Sequence, residues 1–443
     1  MRLIAVVGLD LHQTGGGQYT LWWMQLMRPI LPEFPVLPRI KGVILPDPGG
    51  PRQELGAVVL PDCVGLIGAD YPGLKLRAVV AEGEAVIAGQ AVLHDHAMPE
   101  RVVVSPVNGT VEEIVIGARR QVARMVIRRG AGAARSFDVT QADHPEGLRR
   151  LILDSGLWVS FLRRPFGHVP PPGETPTAMV VTAMATDPGA ADPAPLIRAE
   201  AGNFNAGVQA LSILGGGPVF ICQAPGAELA RIGAQVRVAS FTGGHPAGLP
   251  GVHVERLCPV SMARPVWQVG YADVLALGHL LRTGLLPPDR IVALSGGAAR
   301  DPRLVRLPIG ADIEALAGQE AHGPAYRLVS GPALTGQEAR FLRRRHLQIT
   351  LAPRADAVPR GARQASLKRA ALIPNAALAR SLGPDFPAVA LLRALSVGEV
   401  EQAERMGVLS LLEEDMALAT YLSGGTEDFG IRLRAVLDRL EAA

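Results

Sequence analysis

The segment VVAEGEAVIAGQAVLHDHAMPERVVVSPVNGTV, residues 79–111, repeats a small unit in which an apolar residue and a glycine alternate at a spacing of three. Val80, Gly83, Val86, Gly89 and Val92, with Leu93 beside it, carry the repeat. Apolar runs this short suit strands with alternating faces, and glycine supplies the backbone freedom of tight turns. Residues 74–117 therefore read as short β-strands cut by turns at Glu82-Gly83, Ala88-Gly89 and Asn108-Gly109.

Followed by Ser105-Pro106-Val107-Asn108-Gly109-Thr110-Val111, this repeat resembles the barrel-sandwich hybrid fold of biotinyl and lipoyl carriers. A carrier needs a lysine at the hairpin between its two halves, because that amine forms the amide to the cofactor. The hairpin here reads His94-Asp95-His96-Ala97-Met98-Pro99-Glu100, with Met98 where the lysine would stand, so the swinging-arm reading fails. His94 and His96 alternate as ligands on one strand face would, but no third ligand accompanies them, and they read as solvent-facing turn residues rather than a metal site.

Working outward, 443 residues correspond to about three domains. Gly 50 and Pro 37 alongside 48% hydrophobic residues argue for turn-rich folded domains rather than disorder. Lys+Arg 44 against Asp+Glu 41 leaves only +3, no arginine stripe is interleaved with aromatics, and nucleic acid is not an expected partner. Cys63, Cys222 and Cys258 are far apart with no C-x-x-C pair, which speaks against a disulfide framework, an iron–sulfur cluster or structural zinc and fits a reducing cytoplasm. The uncharged run 11–27 contains Gly15, Gly16, Gly17 and three glutamines, so it is too polar and too short to span a bilayer. Residues 1–38, ending in Pro29, Pro32, Pro35 and Pro38, read as a leader, either disordered or ahead of the true start.

After a connector with a helix at 145–155, the chain alternates. Strands are expected at 178–183, 219–222 and 236–239, a helical stretch at 193–214 stopped by Gly215-Gly216-Gly217, and a short helix at 227–232. This is a doubly wound, Rossmann-like pattern, so the loop after its first strand must be tested as a phosphate cradle. That loop, Met184-Ala185-Thr186-Asp187-Pro188-Gly189-Ala190-Ala191-Asp192-Pro193, offers one glycine, two prolines and two carboxylates, which disfavours a dinucleotide. Asp192 reads instead as an N-cap with Pro193 in the first turn, and Asp187 as a residue ordering the loop. Phe241-Thr242-Gly243-Gly244-His245-Pro246-Ala247-Gly248 reads as a tight turn with a structural imidazole. A strand and helix at 266–283, a strand at 290–294 and a helix opening at Ile313 follow. No Ser-His-Asp order, paired-carboxylate signature or P-loop accompanies them, so no catalytic residue and no metal ligand is assigned.

Several longer motifs fall in one order. They are Ile40-Lys41-Gly42, Arg163-Arg164-Pro165-Phe166, Val181-Thr182-Ala183-Met184, Gly243-Gly244-His245-Pro246-Ala247-Gly248, Tyr271-Ala272-Asp273-Val274, Val292-Ala293-Leu294-Ser295-Gly296 and Glu413-Glu414-Asp415-Met416-Ala417-Leu418. Taken together they resemble the NqrA family of the sodium-translocating NADH:quinone reductases (NQR complexes), from about residue 39 to the end. The resemblance implies a peripheral subunit on the cytoplasmic side of the bacterial inner membrane, beside the membrane component NqrB and beside NqrC, in a complex that couples NADH oxidation and ubiquinone reduction to Na+ export. It also implies that NADH, FAD, FMN, riboflavin, the iron–sulfur centre and ubiquinone belong to other subunits, and that this chain binds no cofactor. A small β-grasp module of the SLBB type and a mainly helical C-terminal region are implied as well. Two departures stand out: the family's C-terminal cysteine segment here reads Leu418-Ala419-Thr420-Tyr421-Leu422-Ser423-Gly424-Gly425, and the leader has no counterpart.

The expected organisation is α/β multidomain: a leader 1–38, a barrel-sandwich hybrid domain 39–135, an α/β domain 136–258, an SLBB-like β-grasp module 259–335 and a helical domain 336–443. Thr182 and His245 could supply hydrogen bonds to a quinone head group in an apolar slot, while Arg163 and Arg164 beside Phe166 could meet a quinone or a neighbouring protein of the complex. The alternative is a free-standing adaptor that keeps the fold without the pump. A soluble NADH dehydrogenase is opposed by the Asp187/Asp192 loop.

Overall fold

The computed structural model describes residues 39–45, 49–230, 232–323, 325–354, 372–424 and 427–443. The leader 1–38 and Gly425 lie outside them.

The glycine-punctuated repeat forms two facing antiparallel sheets. One holds Cys63–Ile67, Val122–Arg129, Gly109–Ile116 and Ala85–Val86, and the other holds Leu76–Ala78, Ala91–Asp95 and Val102–Val104. Val64, Leu66, Leu76, Val86, Val92, Leu93, Val111, Met125 and Ile127 fill the space between them. Gly83 and Gly89 sit at φ +82° and +88°, a region that β-carbon-bearing residues avoid, which is why those turns are glycine. Asn108-Gly109 differs from expectation: Gly109 already lies in a strand. Asn108 instead braces the bend, accepting from the Ala88 amide at 2.8 Å and donating to the Gly132 carbonyl at 2.6 Å.

In the Rossmann-like unit the strands Val236–Ser240, Val219–Gln223, Ala178–Ala183 and Val266–Gly270 run parallel in that spatial order, and Leu162–Arg164 closes the edge antiparallel. Helices cover both faces. Val180, Phe220 and Cys222 pack with Val252 and Val254 on one side, and Val181, Ile221 and Val269 with Leu196, Phe204, Val208 and Val274 on the other. The helices Ala201–Leu214 and Tyr271–Thr283 cross closely because Gly207 and Gly278 have no β-carbon; one at Gly278 would stand 1.7 Å from the Asn203 carbonyl oxygen.

Three expectations are corrected. The stretch 193–214 is two helices, Pro193–Ala199 and Ala201–Leu214, broken at Glu200. Residues 227–230 are not helical: buried Gln223 holds them as a loop, accepting from the Leu229 amide at 2.9 Å and donating to the Ala227 carbonyl at 3.2 Å. The division expected at 258/259 cuts through this sheet, because Val266–Gly270 is its fourth parallel strand. Periodicity identifies a strand but not the sheet it joins.

The β-grasp module centres on the parallel pair Arg290–Ser295 and Gln348–Pro353, flanked by Arg303–Leu307 and Tyr326–Ser330, with the helix Glu314–Glu320 packed against them. Its sheet therefore extends past residue 335, and Arg52–Val58 from the N-terminal part adds a further parallel edge strand. Beyond it, Ala388–Val397, Val400–Arg405, Glu413–Leu422 and Phe429–Ala442 make the helical region, whose core takes in Leu162 and Phe166. No described helix is long and apolar enough to cross a membrane.

Candidate functional site

Strand order in the Rossmann-like sheet reverses between Ala178–Ala183 and Val266–Gly270, and ligands of such sheets sit at the carboxyl ends of the strands on either side of that reversal. Thr182 and Gly270 are register partners there. A cleft of about 1810 Å³ opens above them, walled by the α/β unit, the β-grasp module and the helical region.

The first wall is the loop 184–193. Asp192 caps the helix Pro193–Ala199 by accepting from the Ala194 amide at 3.0 Å, as its sequence position predicts. The rest of the loop docks on the β-grasp side. Gln348 Nε2 donates to the Pro188 carbonyl at 2.9 Å, and the Gln53 side chain accepts from the Asp192 amide at 2.7 Å. Gly189, at φ +76°, has Ser295 Oγ 2.7 Å from where a β-carbon would lie, so only glycine fits this contact. The Pro188 carbonyl and the Asp192 amide of this loop thus join two parts of the chain.

Asp187 lines the cleft from this loop, and its Oδ1, shielded from solvent, has no hydrogen-bond partner. The nearest ionisable group is His245, with Nδ1 4.0 Å away. His245 is 2% exposed; its Nδ1 pairs with Thr186 Oγ1 at 3.2 Å, and that hydroxyl accepts from the Gly248 amide at 3.0 Å. Burial raises the Asp187 carboxyl, an effect the nearby imidazole opposes, and burial lowers the imidazole against the pull of Asp187.

The opposite wall is cationic. Asp273, in the first turn of Tyr271–Thr283, receives Arg344 Nη1 at 2.9 Å, Arg290 Nη2 at 3.2 Å and the Ser160 hydroxyl at 3.1 Å. Burial alone would raise its pKa, but the two guanidiniums outweigh burial and bring it down to about 2. Arg343 Nε meets Asp70 at 2.5 Å, whereas Arg345 donates to the carbonyls of Asp70 at 2.5 Å and Val159 at 2.9 Å, leaving its Nε without a partner. Burial and neighbouring Arg344 lower Arg345 to about 10.

The third wall joins two of the sequence motifs. Arg164 is fully buried, with Nη1 on Asp415 at 3.1 Å and on the Ser410 carbonyl at 2.5 Å, and Nε on Gln268 at 2.6 Å. Asp415 also accepts from the amides of Leu412 at 2.8 Å and Gly251 at 3.1 Å, so one carboxylate serves two helix starts and a buried arginine. Glu414 borders the cleft, and burial together with Asp415 raises its carboxyl.

Of the five residues singled out in the sequence, Thr182 lines the cleft and His245 stands behind Asp187. Arg163 pairs with Glu174 at 2.7 Å, Arg164 is enclosed, and Phe166 is packed in the helical core, so these three hold parts of the chain together. Sequence reading missed Asp273, Arg290, Arg345, Gln348 and Asp415. The run Leu342-Arg343-Arg344-Arg345-His346 was the one available signal, since three adjacent cations call for several separate partners. Among the described residues no group of three His, Cys, Asp or Glu side chains could hold a metal ion; His96 is exposed beyond the strand, as expected, whereas His94 is half-buried within the strand Ala91–Asp95 and not in the turn.

Family models match three consecutive parts of the chain: the NqrA N-terminal barrel-sandwich hybrid domain at residues 39–130, the NqrA second alpha/beta domain at 144–286 and the NQRA C-terminal domain at 291–340. NqrA of the Na(+)-translocating NADH-quinone reductase of Shewanella amazonensis is 35% identical over 438 residues, covering 90% of this chain and 98% of that one. NqrA of Klebsiella pneumoniae is 35% identical over 440 residues, with the same coverage of 90% and 98%. Among solved structures, an NAD+-reducing [NiFe]-hydrogenase covers 67% of this chain and 64% of its own at 13% identity with a TM-score of 0.37, too slight a likeness to bear on fold or function.

Proposed function

The chain belongs to the NqrA family of the Na(+)-translocating NADH-quinone reductases, and from that premise we propose that it is a peripheral, cytoplasmic-side subunit of such a complex, holding no redox cofactor itself. In this reading NqrB in the membrane and NqrC are its neighbours, ubiquinone and the flavins are handled by other subunits, and this chain supports assembly around the quinone-handling region. The observation that carries the reading is the state of the two places where its fold types hold cofactors. The carrier hairpin presents Met98 rather than lysine, and the loop 184–193 is tied to Gln348 and Gln53. The absence of a membrane-spanning helix among the described residues is compatible with a peripheral position.

Affinity purification of tagged chain from solubilised native membranes tests this, with cofactor analysis and a sodium-dependent NADH-to-quinone assay on what is recovered. Recovery in a flavin-containing, sodium-stimulated complex, together with a colourless chain when isolated alone, supports it. A chain found only by itself in the soluble fraction overturns the role in the pump in favour of a free-standing adaptor. Stoichiometric flavin on the isolated chain overturns the cofactor-free role.

A further inference from the structure

We propose that one tip of the barrel-sandwich unit, the turn holding Arg119 and Arg120 with Lys75 and Arg77 beside it, docks on an anionic lipid surface. Backbone strain is the first observation. Residues 117–121 join the strands Gly109–Ile116 and Val122–Arg129, with the Gly117 amide on the Gln121 carbonyl at 2.8 Å. Arg119 and Arg120 take two successive left-handed positions there, at φ +54° and +58°, where glycine or asparagine fits at lower cost. Both are exposed, and neither side chain has a hydrogen bond or ion pair among the described residues. The turn bears a cost that no contact of these side chains within the chain offsets, and strain of that kind collects at sites that meet a partner.

The second observation is where the charges sit. Across residues 61–130 Lys and Arg equal Asp and Glu in number, so a local excess is a matter of arrangement. Strand register puts Lys75 and Arg77 on the outer face of their sheet, because Leu76 between them is buried with its partner Asp95. Arg77 Nη2 donates to the Arg119 carbonyl at 3.4 Å, which ties this face to the turn. None of these four cations has an ion pair among the described residues, whereas Arg101, Arg124 and Arg128 are paired with Asp95, Glu113 and Glu112. Asp70 is held by Arg343, and Asp62 and Glu84 lie at the far ends of the strands, beside the register pairs Cys63–Arg128 and Ala85–Thr110. That leaves Glu82, which accepts from the Ile114 amide at 2.7 Å, and exposed Glu100 against four cations.

The third observation is apolar. Ile116, the last strand residue before the turn, is 54% exposed, and Val79, two residues beyond Arg77 in the chain, is 47% exposed. Cations flanked by exposed aliphatic side chains match phosphate head groups above the start of the acyl region. Nucleic acid would call for aromatic rings to stack on bases, and residues 74–80 and 114–124 contain no Phe, Tyr or Trp. The proposal rests on the peripheral position beside a membrane proposed above and gives that position a lipid contact.

Cosedimentation of the full chain with phosphatidylcholine vesicles, with and without phosphatidylglycerol, tests it. Binding is expected only when phosphatidylglycerol is present, and it should weaken as salt is raised. The double variant Arg119→Asn/Arg120→Asn suits the left-handed turn and removes two charges. It should weaken binding about thirtyfold, roughly fivefold per charge, at an unchanged or higher melting temperature. Arg119→Lys/Arg120→Lys should retain binding, and Ile116→Ser should weaken it severalfold. Equal sedimentation with both vesicle types, or binding untouched by the asparagine pair, overturns the proposal. Capture by RNA or an acidic polypeptide without vesicle binding also overturns it and assigns the tip to another anion. Copurification with the sodium-stimulated complex but no vesicle binding overturns the lipid contact while the subunit role stands. Vesicle binding by a chain that copurifies with nothing supports the lipid contact while the subunit role falls.

Discussion

The hairpin around Asp95 and the loop around Asp187 occupy the two places where their fold types hold a cofactor, and they are closed in different ways. Asp95 is fully buried and completely satisfied. It accepts from the amides of Lys75 at 2.8 Å and Met98 at 3.2 Å and pairs with Arg101, whose Nη1 reaches the Val169 carbonyl of the neighbouring unit at 3.0 Å. Burial alone would raise the Asp95 carboxyl, yet these donors pull it below the usual carboxylate range. Asp187 is also shut away from water at Oδ1 but has no donor there, and burial pushes its carboxyl up. The hairpin of a carrier arm serves here as a rivet, whereas the loop keeps one side as a strap and leaves a buried carboxylate oxygen beside His245 without a donor. Complete satisfaction marks a structural role, and a buried acceptor without a donor marks a local cost.

Breaking the rivet should have the largest effect. Asp95→Ala leaves Arg101 and the amides of Lys75, Ala97 and Met98 without their partner in the interior, and a loss of about 3–5 kcal/mol in urea unfolding is expected. A loss below about 1 kcal/mol would show that the hairpin is not a structural joint. Within the cleft, Asp273 is the satisfied counterpart of Asp187. Its fall from 3.8 to about 2 corresponds to roughly 2–3 kcal/mol of stability at neutral pH. Because the folded value is the lower one, that contribution is full above the unfolded value and disappears as pH falls toward about 2. Asp273→Asn should therefore destabilise at pH 7 and differ little from the parent near pH 2, read by denaturant melts at both.

The strap is weaker than the rivet. Gln348→Ala removes the donor to Pro188 and should cost about 1–3 kcal/mol, with faster hydrogen exchange confined to the loop 184–193. Uniform acceleration across the α/β sheet would show instead that the loop is not a separable strap. The smallest effect has the opposite sign. The folded Asp187 carboxyl lies above its unfolded value, so its ionised form opposes folding at neutral pH. Asp187→Asn should stabilise by about 1 kcal/mol or less at pH 7, a gain that vanishes below the ordinary carboxylate range of about 4. Destabilisation at pH 7 would break the contrast with Asp95.

Much of the fold was legible because it rests on local rules. Gly83 and Gly89 mark turns that need positive φ, and the strand Ala178–Ala183 and the helix cap at Asp192 stand where apolar runs and capping chemistry place them. The lost helix at 227–230 and the broken one at Glu200 were illegible because the deciding contacts come from side chains whose direction propensity does not give, the Gln223 amide above all. The site was less readable still. Thr182, in the strand Ala178–Ala183, lines the cleft, but Arg164, expected to meet a quinone or a neighbouring protein, is enclosed with Asp415, 251 residues away, as its partner.

The sequence by itself determined the types and order of the units, the methionine at position 98 where a carrier has its lysine, and the single glycine, two prolines and two carboxylates of the loop 184–193. These depend on residue identity and on neighbours a few positions apart. Only the tertiary structure decided that Val266–Gly270 joins the α/β sheet, that Asp70 gathers Arg343 by its carboxylate and Arg345 by its carbonyl while the Arg344 guanidinium reaches Asp273, and that Asp415 serves two helices and a buried guanidinium. Charge pairing and sheet membership depend on distance in space, and a linear pattern does not record which distant groups folding brings within a few ångströms.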